Sequence, residues 1–262
     1  MAWPEPSAPG PGTVVPAAPA VSAAPGVPPA PAAPAARISR VHYPVTVLGA
    51  GRRLGLWFQG CSLACAGCMA HDTWPATGGR EVTVSALAAL WRDAVADGAD
   101  GLTISGGEPF QQVEALAALL AAVDAERVTA TAPGGPAEGR DLDILVYTGY
   151  EWAELDAERR AVAARADVLV TGRFRVGEPT ALVWRGSANQ EMRPLSPLGH
   201  RRYGPHRTRE ASAAVQADVE PDGTVRIIGI PRAGTIHRME SALRASGVTL
   251  AGPSWRPEAE RE

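Results

Sequence analysis

The chain has 262 residues, 45% of them hydrophobic and 20% charged, with a formal net charge of −3. That length supports one ordinary domain with a sizeable core. The near-balanced charge gives no reason to expect nucleic acid or an anionic membrane surface as a partner. No run of about 18 apolar residues is present to span a bilayer, and the N-terminus lacks the basic and leucine-rich regions of a secretory signal.

Residues 1–37 form a Pro/Ala-rich tract whose few apolar side chains follow neither helical nor strand period. Such a segment cannot build a packed core, so it reads as a disordered or polyproline-like tail. Order is expected from about Ile38, in a single domain over 38–252. Residues 53–58 (RLGLWF) are a short apolar run after a Gly49 to Gly51 turn signal, which predicts a buried strand. This strand delivers the stretch 60–74, GCSLACAGCMAHDTW, which holds every cysteine of the chain: Cys61, Cys65 and Cys68.

Beyond it, 84–95 places Leu87, Leu90, Trp91, Ala94 and Val95 on one helical face, ended by Gly98. Residues 102–105 predict a second buried strand that opens into the turn Gly106-Gly107-Glu108-Pro109. A helix over 113–123, a Gly/Pro-rich loop over 128–140, a strand over 142–147, a helix over 151–166 and a strand over 167–170 continue the alternation. This rhythm predicts βα units around a parallel sheet, curved into a partial barrel, with both motifs following strands. Residues 192–208 read as a long Arg-rich loop, solvated or facing an acidic partner. A β-hairpin is expected over 215–230 around Pro221-Asp222-Gly223, then a helix over 235–245, and 253–262 is a polar tail.

Three thiols within eight residues cannot pair off into disulfides without a remainder, so the C-x3-C-x2-C loop reads as a metal site. Unpaired thiols without an export signal place the chain in a reducing cytoplasm. Closed zinc sites and most iron–sulfur sites take four protein ligands. Three thiolates on a cubane leave one iron open to a small molecule, which points to chemistry rather than storage. The competing arrangement uses His71 as the fourth ligand of a Cys3His zinc site. Arg53 and Gln59 flank the first strand, either to fix the loop or cofactor or to serve the fold. Thr148 and Tyr150 are candidates for a pocket wall. Arg185, Ser187 and Asn189 suit a partner contact or an ordered turn. His42, His200, His206 and His237 share no spacing and read as surface or satisfied core residues.

Taken together, these motifs resemble the radical S-adenosylmethionine superfamily: Gly49-Ala50-Gly51-Arg52-Arg53, Gln59-Gly60-Cys61, the cysteine loop, Asp72-Thr73-Trp74, the Gly-Gly-Glu-Pro turn and Tyr147-Thr148-Gly149-Tyr150. Within it they are similar to the small activating enzymes of glycyl radical proteins. Residues 167–174 and 184–190 extend the similarity to the branch that serves anaerobic class III ribonucleotide reductase. The chain departs from that pattern in carrying Thr171 where Asp is usual, and Met69-Ala70 after the third cysteine.

The resemblance implies a radical SAM partial (β/α) barrel with a [4Fe-4S] cluster on Cys61, Cys65 and Cys68, whose open iron is chelated by S-adenosylmethionine. It further implies that Gly106, Gly107, Glu108 and Pro109 receive the cofactor's ammonium, with Tyr150 beside it. Reductive cleavage would then give a 5′-deoxyadenosyl radical that takes hydrogen from a glycine of a partner glycyl radical enzyme, with a flavodoxin or ferredoxin as electron donor. Two other functions fit the residues: the same chemistry on a peptide or small molecule, and a non-catalytic iron–sulfur or zinc protein that senses redox state.

Overall fold

Residues 53–58 do form a buried strand, with all six residues buried. The computed structural model describes residues 33–211, 214–219, 223–232 and 234–253. Most of the proline-rich tract, the hairpin turn residues Pro221 and Asp222, and 254–262 lie outside the described residues.

The elements run β1 (Ala35–Val45), β2 (Arg53–Phe58), β3 (Arg80–Thr83), α1 (Val84–Ala96), β4 (Gly101–Gly106), α2 (Val113–Thr131), β5 (Asp143–Tyr147), α3 (Ala157–Ala163), β6 (Val168–Thr171), β7 (Glu191–Pro194), α4 (Pro197–Tyr203), β8 (Val215–Val219), β9 (Val225–Gly229) and α5 (Thr235–Ala245). One seven-stranded sheet has the order β3-β1-β2-β4-β5-β6-β7. Its centre, β2, β4, β5 and β6, is parallel, and antiparallel β1, β3 and β7 extend it on either side. The architecture is therefore mixed α/β around a parallel centre, with the predicted C-terminal hairpin (β8 and β9) and helix (α5) present.

Strand alternation separates the two faces of this sheet. Leu54, Leu56, Phe58, Ile104, Ile144, Val146 and Leu169 point to one side and pack with Leu87, Trp91, Leu116, Leu120 and Val162 of the helices. Trp57, Leu145, Val168 and Val170 point to the other, where Met192, Tyr203 and Ile228 cover them. That second face also carries the most polar part of the core. Arg53, fully buried, donates to both carboxylate oxygens of Asp143 (Nη2–Oδ1 2.6 Å, Nη1–Oδ2 3.1 Å), to Thr103 Oγ1 at 2.6 Å and to the Leu102 carbonyl at 2.7 Å.

Several expectations are corrected. Strand β1 begins at Ala35, before the expected Ile38, and both β1 and β3 went unforeseen. Half-buried side chains blur the period of β1, and β3 has four residues with only Val82 buried. Helix α2 runs on to Thr131, into the expected loop, where the Thr129 and Thr131 hydroxyls bond back to the Ala125 and Arg127 carbonyls. The helix expected over 151–166 breaks into a 3₁₀ turn, Trp152–Glu154, and α3, because Asp156 caps a new start by accepting from the Arg159 amide.

The Arg-rich stretch is not a long loop. It holds β7 and α4, with Ser196 as N-cap and Pro197 behind it. Three of its arginines are paired within the chain: Arg202 with Asp143, Arg201 with Asp141 and Arg193 with Glu191. Among the described residues, no helix is long and apolar enough to cross a membrane.

Candidate metal centre

The cysteine loop leaves the carboxyl end of β2 and is closed at its base by main-chain hydrogen bonds. Gly60 N donates to Thr73 O (2.7 Å) and Cys61 N to Trp74 O (3.0 Å). Gln59, 3% exposed, reaches across the neck and donates to the Asp72 and Pro75 carbonyls (3.0 and 2.7 Å), which gives it a positioning role. Arg40 of β1 pairs with the Asp72 carboxylate at the same neck.

All three cysteines are free thiols of intermediate exposure, and all line one cavity of about 900 Å³. The cavity lies at the carboxyl ends of the parallel strands, with Ser105 to Glu108, Tyr147 to Gly149, and Gly172 with Phe174 on its walls. Burial pushes the Cys61 thiol up, against hydrogen bonds from the backbone of Leu63 and Ala64. Burial likewise raises Cys65, against a backbone hydrogen bond from Phe174. Such N–H donors around sulfur favour bound thiolate. The donor set fits a group held by three thiolates.

A single metal ion fits less well. Among the described residues, no three His, Cys, Asp or Glu side chains converge on one ion position. His71 is absent from the cavity lining, and its ring stacks on Trp74 with centroids 4.3 Å apart.

The Gly106-Gly107-Glu108-Pro109 turn is stitched to the start of the cysteine loop. Gly107 N donates to Phe58 O and Glu108 N to Gly60 O, both at 2.8 Å. A Cβ at Gly106, whose φ is +102°, would sit 2.4 Å from Phe58 N, and one at Gly107 would sit 2.3 Å from Gly60 O. The backbone of β2 and of the cysteine loop fills this space. Gly106→Ala is expected to cost about 1–3 kcal/mol through backbone strain alone, read as a lowered thermal midpoint.

Glu108, 1% exposed, accepts from Phe110 N (3.0 Å), Thr148 Oγ1 (2.9 Å) and Gly149 N (2.7 Å), and so ties β4 to β5. Burial pushes its carboxyl up to about 7 despite these donors. Between its unfolded value near 4.5 and this one, the folded protein holds a proton that the unfolded chain has released. The contribution of Glu108 to stability is therefore fully present below the unfolded value and is lost as pH rises through 7. The expected loss, roughly 3 kcal/mol at about 1.4 kcal/mol per pKa unit, is checked by urea unfolding at about pH 5 and about pH 8, wild type against Glu108→Gln.

Of the other expected residues, Thr148 lines the cavity, whereas Pro109 and Tyr150 do not. The Tyr150 ring packs beside the main core, and its hydroxyl accepts from Gln111 Nε2 at 3.3 Å. Arg53 lies at the opposite end of β2 and is structural. Arg185 donates to the Arg207 carbonyl (2.7 Å), Ser187 Oγ accepts from Arg175 N, and Asn189 donates to the Arg173 carbonyl, so all three order the chain around them. Phe174, Gln190 and the whole of β9 line the cavity without having been singled out as site residues. Only the motif similarity over 167–174 and 184–190 signalled the first two.

A cysteine-lined cavity at the carboxyl ends of parallel strands defines an α/β protein whose site is made by one thiol loop. The chain belongs to the 4Fe-4S single cluster domain family, whose model matches residues 47–193. It is similar to the anaerobic ribonucleoside-triphosphate reductase-activating protein of Vibrio cholerae serotype O1, at 37% identity over 158 residues, covering 57% of this chain and 92% of that one. Proteins of the same name from Escherichia coli K12 (33% over 161 residues; 59% and 96%) and Enterobacteria phage T4 (30% over 148 residues; 56% and 86%) also match.

Proposed function

We propose that the chain is a radical S-adenosylmethionine activating enzyme that installs a glycyl radical in a partner such as anaerobic ribonucleotide reductase. The observation that carries this reading is the joining of the cysteine loop to the Gly-Gly-Glu-Pro turn within one cavity. Similarity to activating proteins supports the choice of partner. Cys61, Cys65 and Cys68 would hold a [4Fe-4S] cluster. When bound, the cluster would supply one electron for cleavage of S-adenosylmethionine to methionine and a 5′-deoxyadenosyl group able to take hydrogen from a glycine Cα.

The chain's own residues bind and orient. Gln59 and Arg40 fix the loop, the Gly106 and Gly107 backbone offers the cofactor a rim, and Thr148 with Glu108 holds that rim to β5. The reading carries with it a partial (β/α) barrel of the radical SAM type, a reducing cytoplasmic setting and a flavodoxin- or ferredoxin-type donor.

The test is anaerobic. Protein reconstituted with iron and sulfide, reduced and given S-adenosylmethionine should form 5′-deoxyadenosine, and with the reductase added a glycyl radical should appear by electron paramagnetic resonance. An intact, reducible cluster that neither binds nor cleaves the cofactor would defeat the proposal.

A further inference from the structure

The family match ends at residue 193, and matches covering 86–96% of the relatives use only 56–59% of this chain. Hairpin β8/β9 lies beyond the matched domain, yet it forms a wall of the cysteine cavity. Residues 223–231 line that cavity without a gap. A strand presenting one face alone would contribute every second residue, so the unbroken run brings an edge of β9 to the cavity, whose lining it shares with residues 248–253. Among the described strands β9 pairs with β8 alone, along one edge.

The hairpin is clamped in place. Gln216 Nε2 donates to the Pro44 carbonyl (2.8 Å), Gln216 Oε1 accepts from Thr46 N (3.0 Å), and His42 lies 3.2 Å from Asp218. Ile228, 5% exposed, packs with Val45, Leu48 and Trp57.

The polar side chains of the cavity, among them Arg40, Asp72, Glu108, Thr148 and Gln190, lie on its other walls. Residues 223–231 offer main-chain groups and, Thr224 and Arg226 apart, glycine, proline and aliphatic side chains. A strand edge of this composition recognises an extended polypeptide through main-chain hydrogen bonds. We propose that β9 receives an extended segment of the acceptor protein as an added strand and so presents its glycine Cα to the cysteine loop. This rests on the activating-enzyme reading.

The probe is the purified anaerobic ribonucleoside-triphosphate reductase of Vibrio cholerae, added to the reconstituted full chain. Hydrogen exchange of the 225–229 amides should slow about tenfold on its addition. Gln216→Ala, which loosens the clamp outside the cavity, should lower the glycyl radical yield about tenfold while 5′-deoxyadenosine formation without reductase is unchanged. A glycyl radical formed with no change in exchange at 225–229 would overturn the β9 assignment and leave the activating reading intact. Absence of both 5′-deoxyadenosine and radical would overturn both. Protection of 225–229 without reductase, relieved by deleting 254–262, would make the chain's own C-terminus the occupant and overturn the proposal.

Discussion

Asp143→Ala is expected to lose about 3–5 kcal/mol, the range for removing one partner of a buried ion pair. The Arg53 guanidinium and the Asp143 carboxylate are both fully buried. Burial works against the charge on Arg53, but the adjacent Asp143 together with Tyr203 and Tyr147 outweighs it and holds the guanidinium above its ordinary value. Asp143 Oδ1 also accepts from Tyr203 Oη (2.9 Å), and Oδ2 lies 3.1 Å from Arg202 Nε. The alanine variant would strand a buried cation and a buried hydroxyl together. Against a typical total of about 5–15 kcal/mol, that is a large fraction, read directly from the urea midpoint. Adding Arg53→Met should recover part of the loss, since an apolar side chain needs no counter-charge. A single variant that shifts stability by less than about 1 kcal/mol would refute the account.

The largest effect on activity is expected from Cys65→Ala. With three thiols on the loop and no fourth cysteine in the chain, no spare sulfur can substitute. Two thiolates cannot hold a cubane that already lacks a fourth protein ligand. Reconstituted variant protein should therefore lose the visible absorption of the cluster and form 5′-deoxyadenosine only at background. Its fold should persist, because the hydrogen bonds that close the loop base involve Gly60, Thr73, Trp74 and Gln59 rather than Cys65. Far-ultraviolet circular dichroism matching wild type would separate loss of the cluster from loss of the fold. A variant with full cluster absorption would remove Cys65 from the ligand set.

Much of the parallel centre was legible in the sequence, because β2, β4, β5 and β6 are buried on both faces and read as unbroken apolar runs between turn signals. Short strands with one buried side chain, such as β3, carry no such period. The Gly49-Ala50-Gly51-Arg52-Arg53 motif was visible as a signature, but its physical cause was not. A Cβ at Gly49 would lie 2.6 Å from Arg53 Nε, and one at Gly101 would lie 2.3 Å from Arg53 Nη1, so these glycines make room for the buried guanidinium. Likewise Glu108 was legible as a site residue, whereas two of its three protein donors, Thr148 and Gly149, arrive from the end of β5, about forty residues away. The part of β9 in the cavity wall was least legible. A hairpin can be read from its turn, but the face it will cover depends on Gln216 meeting β1, 172 residues distant.

The clamp at the neck of the cysteine loop bears on how the protein is matured. A finger that is unfolded without its metal must spend part of the binding free energy on ordering its chain. Here Gln59 and the main-chain bonds to Thr73 and Trp74 hold the loop ends together with no contribution from sulfur. Iron and sulfide therefore enter a receptacle whose frame already stands. Oxygen that strips the cluster should leave behind an empty but refillable shell, and repair becomes a matter of iron supply rather than of resynthesis.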